Sequence, residues 1–133
     1  MKTEVSLQTL PQGTALIEQI LRDLQALYEL TPDCVLKIRL ALGESVHNAL
    51  QHGNLFDPTK QVLIRCEADS DVLHCEVVDE GDGFNESDVP DPTDAVRLAE
   101  EGGRGVLLIR WVSDHFEYRR AERTAAFSIK LKS

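Results

Sequence analysis

The sequence predicts an α/β (α+β) two-layer sandwich, a largely antiparallel mixed sheet covered on one face by helices. Three observations lead there. Two helix-periodic stretches follow a short strand in the N-terminal third. Two alternating runs then flank the turn-forming Asp69-Ser70-Asp71, the pattern of an antiparallel hairpin. A glycine-led helix and two more strand-like runs close the chain, so the order reads β-α-α-β-β-α-β-β.

The first strand is the weakly alternating Glu4–Gln8. After Pro11 and Gly13, Leu16, Ile17, Ile20, Leu21, Leu24, Leu27 and Tyr28 recur at helical spacing. Thr31-Pro32 is a helix cap followed by proline at the first helical position. The second helix runs from there towards His52 with an apolar stripe of Val35, Ile38, Leu42, Val46 and Ala49, and Gly53-Asn54 ends it. Asp57-Pro58 breaks the chain before Val62, Ile64 and Cys66 alternate with Leu63, Arg65 and Glu67. Val72–Val78 is the returning strand. The polar stretch Glu86–Glu101 holds at most a short helix around Ala95–Ala99. Gly102, Gly103 and Gly105 open a third helix carrying Val106, Leu107, Ile109 and Val112, and strands are expected near Phe116–Arg120 and Thr124–Leu131.

At 133 residues and 42% hydrophobic, with no repeat or linker, residues 1–133 suit one domain with one core. The net charge of -9 argues against sequence-independent binding to nucleic acid or anionic membranes. It leaves open an anion held by local backbone N–H groups. No segment resembles a signal peptide or reaches membrane-spanning length. Cys34, Cys66 and Cys75 lack CxxC spacing and read as buried thiols in a reducing setting, so a cytoplasmic location is expected.

Three stretches could carry chemistry. On the second helix Glu44 and Asn48 lie one turn apart, opposite the apolar stripe, and His52 continues the line. They form either a solvated face or a carboxylate and an amide aimed at a ligand. In Asp79-Glu80-Gly81-Asp82-Gly83, glycines permit a tight turn or close approach to a flat ligand, and Asp79 can accept a hydrogen bond. In Glu101-Gly102-Gly103-Arg104-Gly105, small residues before a helix make either a flexible loop or an anion site at the positive helix end. No Walker-type GxxxxGK[ST] is present.

Together and in this order the stretches resemble the nucleotide-binding boxes of the GHKL (histidine-kinase-like) ATPase superfamily. ALGESVHNALQHGN is similar to its first box, VVDEGDGF to its DxGxG box and EGGRGVLLI to its second glycine box. Within the superfamily the chain looks like the anti-sigma-factor serine/threonine kinases of the RsbW and SpoIIAB type. The resemblance implies a Bergerat-type ATP-binding fold using ATP and Mg²⁺, with an ATP lid at about 85–102. It makes Glu44 the catalytic residue that orients or deprotonates the acceptor hydroxyl, and Asn48 the Mg²⁺ ligand. Asp79 would accept from the adenine amino group, with Gly81 and Gly83 giving clearance. Gly102, Gly103, Arg104, Gly105 and Val106 would surround the phosphates, and His52 and Thr124 complete the expected nucleotide set. The last strand, ERTAAFSIKL, departs from the family by lacking its usual GT pair.

A sensor kinase's dimerisation helices and phosphoacceptor histidine have no counterpart, so the acceptor is expected to be a separate STAS-domain anti-anti-sigma protein. A sigma factor or other signalling client would be sequestered, and a homodimer is compatible with the resemblance. Two alternatives stay open: a nucleotide-gated binding module without turnover, and a kinase serving a client other than a sigma factor.

Overall fold

The computed structural model describes residues 1–81 and 103–131. The expected short helix at 95–99, the lid at 85–102, Gly83 and Gly102 lie outside the described residues.

The first strand, β1, spans Lys2–Leu7, slightly earlier than its pattern suggests. Helix α1 covers Leu10–Leu27 and starts before Pro11, because Thr9 caps it. The Thr9 hydroxyl accepts from Gln12 N–H at 3.3 Å while Gln12 Oε1 accepts from Thr9 N–H at 3.1 Å. Its buried stripe is Ile17, Ile20, Leu21 and Leu24; Leu27, at 59% exposed, falls off it. Helix α2 is Pro32–Asn48, and the Thr31 hydroxyl accepts from Cys34 N–H as the cap predicts. The two helices touch where Gly13 leaves room for Val46, and Arg39 grips Glu18 through two hydrogen bonds across their surface.

Strands β2 (Val62–Ala68) and β3 (Val72–Val78) form the expected hairpin. Helix α3 is Gly103–Val112, and β4 (His115–Arg119) and β5 (Thr124–Lys130) are joined by a short 3₁₀ turn. The sheet order is β1-β2-β3-β5-β4. Every described pairing is antiparallel, so the mixed sheet expected from sequence is wholly antiparallel here.

Alternation sorts the two faces. Ile64, Cys66, Leu73, Cys75, Val77, Phe127 and Ile129 turn inward onto Ile38, Leu42 and Val46 of α2 and Ile20, Leu21 and Leu24 of α1, making one core. Cys66 and Cys75 sit opposite each other with sulfurs 3.1 Å apart, both free and buried. Burial holds the Cys75 thiol well above its ordinary range, as befits a packed protonated side chain. The opposite face carries a ladder of charges, Glu4–Arg65–Glu76–Arg119–Glu117, with separations of 2.7–3.9 Å. Such half-exposed pairs contribute little each and mainly keep that face polar.

Candidate functional site

The site is built where α2 ends. After Asn48 the helix widens into a π-helical turn, Ala49–Gly53, closed by Asn54 N–H donating to the Ala49 carbonyl at 2.8 Å. Such turns break the 3.6-residue rotation, so His52 does not simply extend the Glu44–Asn48 line. His52 Nε2 is buried with no partner among the described residues.

Gly53 and Asn54 do more than stop a helix. The Asp79 carboxylate packs against Gly53; a β-carbon there would come within 2.5 Å of Oδ2. Gly81 in turn packs on the Gly53 carbonyl, where any β-carbon would overlap it. Asn54 is 1% exposed and ties two strands to this corner. Its amide donates to the Gln61 carbonyl at 3.0 Å before β2, and its oxygen accepts from Glu80 N–H at 2.7 Å after β3. Glu80, unassigned from sequence, accepts from Gln61 N–H at 2.8 Å. No local pattern signals these contacts, although the glycines and the asparagine were visible in the boxes.

Asp79 itself is 3% exposed. Oδ1 accepts from Gly81 N–H at 2.8 Å, and its own N–H donates to the Arg123 carbonyl at 3.1 Å. Burial raises its carboxyl above the ordinary value; the Gly81 N–H and the positive charges of Arg123 and Lys60 act the other way. Arg123 holds a left-handed backbone, φ 52°, and its guanidinium donates to the Gly81 carbonyl at 2.9 Å. Sequence reading missed this arginine, since only the fold brings it beside Gly81.

The Glu44–Asn48 face is not solvated along its length. The start of α3 lies over it: a β-carbon on Gly105 would sit 2.6 Å from Glu44 Oε2 and 3.4 Å from both Asn48 side-chain termini. Asn48 is 8% exposed. A carboxylate and an amide thus converge on the first turn of a ten-residue helix whose leading N–H groups lack intrahelical acceptors. Gly103 and Arg104 form that turn with Gly105.

Behind this convergence lies an apolar recess of about 20 Å³, lined by Asn48, Ser45, Asp79, Val77, Val106 and Ala125 among others. That is far below the roughly 300–1,000 Å³ of a full ligand pocket. The described residues stop at Gly81 and resume at Gly103. Thr124 is not among the residues lining the recess; it is 3% exposed and its hydroxyl donates to the Glu122 carbonyl at 2.8 Å. Alternation along β5 turns Ala125, opposite Val77, towards the recess instead.

Among the described residues no cluster of three His, Cys, Asp or Glu side chains could hold a metal by itself. One buried amide beside the first turn of α3 fits a Mg²⁺ that would arrive on phosphate oxygens, since Mg²⁺ seldom receives an all-protein cage. No helix among the described residues is long and apolar enough to cross a membrane.

Residues 7–129 match the family described as histidine kinase-like ATPase domain. The chain is 27% identical to the serine-protein kinase RsbW of Bacillus licheniformis over 110 residues, covering 78% of this chain and 69% of that protein. It is 28% identical to the serine-protein kinase RsbW of Bacillus subtilis (strain 168) over 117 residues, covering 84% and 73%.

Proposed function

The chain belongs to the histidine kinase-like ATPase domain family, and from that premise we propose that it is an ATP-dependent serine/threonine protein kinase acting in a partner switch. One observation carries the reading: Glu44 and Asn48 converge on the first turn of α3, next to the recess that ends in buried Asp79. The similarity to two serine-protein kinases supports it.

In this reading Asp79 accepts a hydrogen bond from the exocyclic amino group of adenine. Guanine would turn a carbonyl oxygen towards the same carboxylate, which repels it and disfavours GTP. Gly103, Arg104 and Gly105 offer backbone N–H groups to the phosphates at the positive end of α3. Asn48 is the protein ligand of Mg²⁺, whose charge offsets that developing on the transferred phosphoryl group. Glu44 orients the acceptor hydroxyl and takes its proton. The acceptor is a serine or threonine on a STAS-domain anti-anti-sigma protein, and the unphosphorylated antagonist competes with a sigma factor for this chain. Residues 1–133 act as one cytoplasmic catalytic domain with residues 85–102 as lid.

The direct test incubates the protein with labelled ATP, Mg²⁺ and purified STAS proteins. Label appearing on a serine or threonine of one of them is expected. ATP binding with no labelled acceptor would sink the kinase reading and leave a nucleotide-gated binding module.

Asp79→Asn separates the nucleotide role from stability. Asparagine places an amide donor where the adenine amino group also donates, so ATP affinity is expected to fall roughly 10- to 150-fold, as for a lost hydrogen bond to a charged group. Because burial raises the Asp79 carboxyl, its ionisation opposes folding. Its contribution is most favourable at acid pH and is lost as pH rises through the folded value. The nucleotide-free variant should therefore melt higher than the parent at neutral pH, with the gain shrinking as pH falls through the carboxylate range. Calorimetric ATP titration and melting at several pH values measure both; unchanged ATP affinity would refute the adenine assignment.

A further inference from the structure

Ser45 lies on α2 between the two residues that face α3. It is 2% exposed, and its hydroxyl has no hydrogen-bond partner among the described residues. A helical serine commonly returns its hydroxyl to the carbonyl four residues earlier; Ser45 does not. An unpartnered buried hydroxyl is costly, so its position needs a reason. It lines the same recess as Asp79, and the rest of that wall is largely apolar: Ala49, Val77, Val106, Ile109, Ala125. From β5 the recess receives Ala125, which has no hydroxyl, while the Thr124 hydroxyl is spent on the Glu122 carbonyl. Ser45 is thus the hydroxyl that α2 supplies to the recess.

We propose that Ser45 is a specificity-determining residue of the nucleobase site, its hydroxyl donating to the acceptor ring nitrogen beside the amino group that Asp79 accepts from. The contact is direct or passes through the one water that about 20 Å³ admits. This inference rests on the nucleotide reading above. Asp79 then reads the donor half of the 6-aminopurine edge and Ser45 the acceptor half, both lining one recess. A purine whose ring nitrogen at that place carries a hydrogen would leave the serine donor facing a donor, reinforcing the selection made by Asp79.

The test compares ATP with 1-deaza-ATP, which keeps the amino group and lacks the ring nitrogen, by calorimetric titration of the parent protein and of Ser45→Ala. The parent should prefer ATP by roughly three- to tenfold, the range for one neutral hydrogen bond. Ser45→Ala should bind ATP weaker by the same factor and no longer distinguish the two nucleotides. Without nucleotide it should melt no lower than the parent, because alanine suits a helix and an unpaired buried hydroxyl is gone. Unchanged ATP affinity in Ser45→Ala, a surviving preference for ATP, or a markedly lower melting point would each overturn the role of Ser45 alone. A parent protein that binds no ATP would overturn the nucleotide reading, and this inference with it.

Discussion

Glu44→Gln is expected to lower the rate of phosphoryl transfer to the acceptor protein by about 10²- to 10⁴-fold, the span that a positioned general base contributes. ATP affinity should change little. Glutamine keeps the length and planarity of the side chain, so the fit against Gly105 and the first turn of α3 survives. What disappears is the negative charge and the ability to take a proton. Phosphoryl transfer depends mostly on in-line positioning and on neutralising charge. The lower end of the range would therefore mean that Glu44 chiefly orients the hydroxyl, and the upper end that it also removes the proton. Single-turnover labelling of the acceptor at saturating ATP, paired with a binding titration, measures the two effects separately. Transfer at the parental rate would show that Glu44 is not the catalytic residue.

The largest structural effect is expected at Gly81. A methyl group there would overlap the Gly53 carbonyl and approach its carbon to 2.5 Å, and that obstacle is backbone, unable to swing aside. Gly81→Ala must therefore move the segment after β3. That movement strains the Gly81 N–H bond to Asp79, the Arg123 bond to the Gly81 carbonyl and the Glu80 bond to Asn54. Overpacking against a rigid neighbour with loss of buried hydrogen bonds costs about 2–4 kcal/mol. At roughly 3–5 °C per kcal/mol for a chain of this size, the melting temperature should fall by about 6–20 °C, with ATP affinity falling too. Gly43→Ala is the control. An added β-carbon at Gly43 meets nothing within 4 Å, and the residue lies inside α2. Helix propensity then makes that substitution stabilising by about 0.5–1 kcal/mol. Equal melting temperatures for the two variants would contradict the packing described at Gly53.

Several elements were legible because their causes are local. The Thr31-Pro32 cap reports α2 by a bond within one turn. The alternation of Val62, Ile64 and Cys66 against Val72–Val78 reports both the hairpin and the face that it buries, because a strand has period two. Residues of the three boxes also lie near one another: Asn48, Asp79 and Val106 line one recess, and Glu44 meets Gly105. Where reading failed, the cause was a contact between distant residues. Leu27 continues a periodicity but is left 59% exposed at the end of α1. Thr124 and Ala125 are adjacent, and the pairing of Ala125 with Val77 places Ala125 at the recess.

By itself, then, the order of residues determined the element sequence, the inward faces of the strands and the candidate chemistry at Glu44, Asn48 and Asp79. These follow from backbone periodicity, capping and side-chain type, all of which act over a few residues. Tertiary structure alone decided that Gly53 clears Asp79, that Asn54 ties β2 to the end of β3, that Arg123 supports Gly81, and that Ser45 brings to the recess a hydroxyl with no partner among the described residues. Each of these depends on steric exclusion or hydrogen bonding between residues from separate elements. Such contacts exist only once the apolar faces of α1 and α2 have packed onto the sheet and brought those elements within reach.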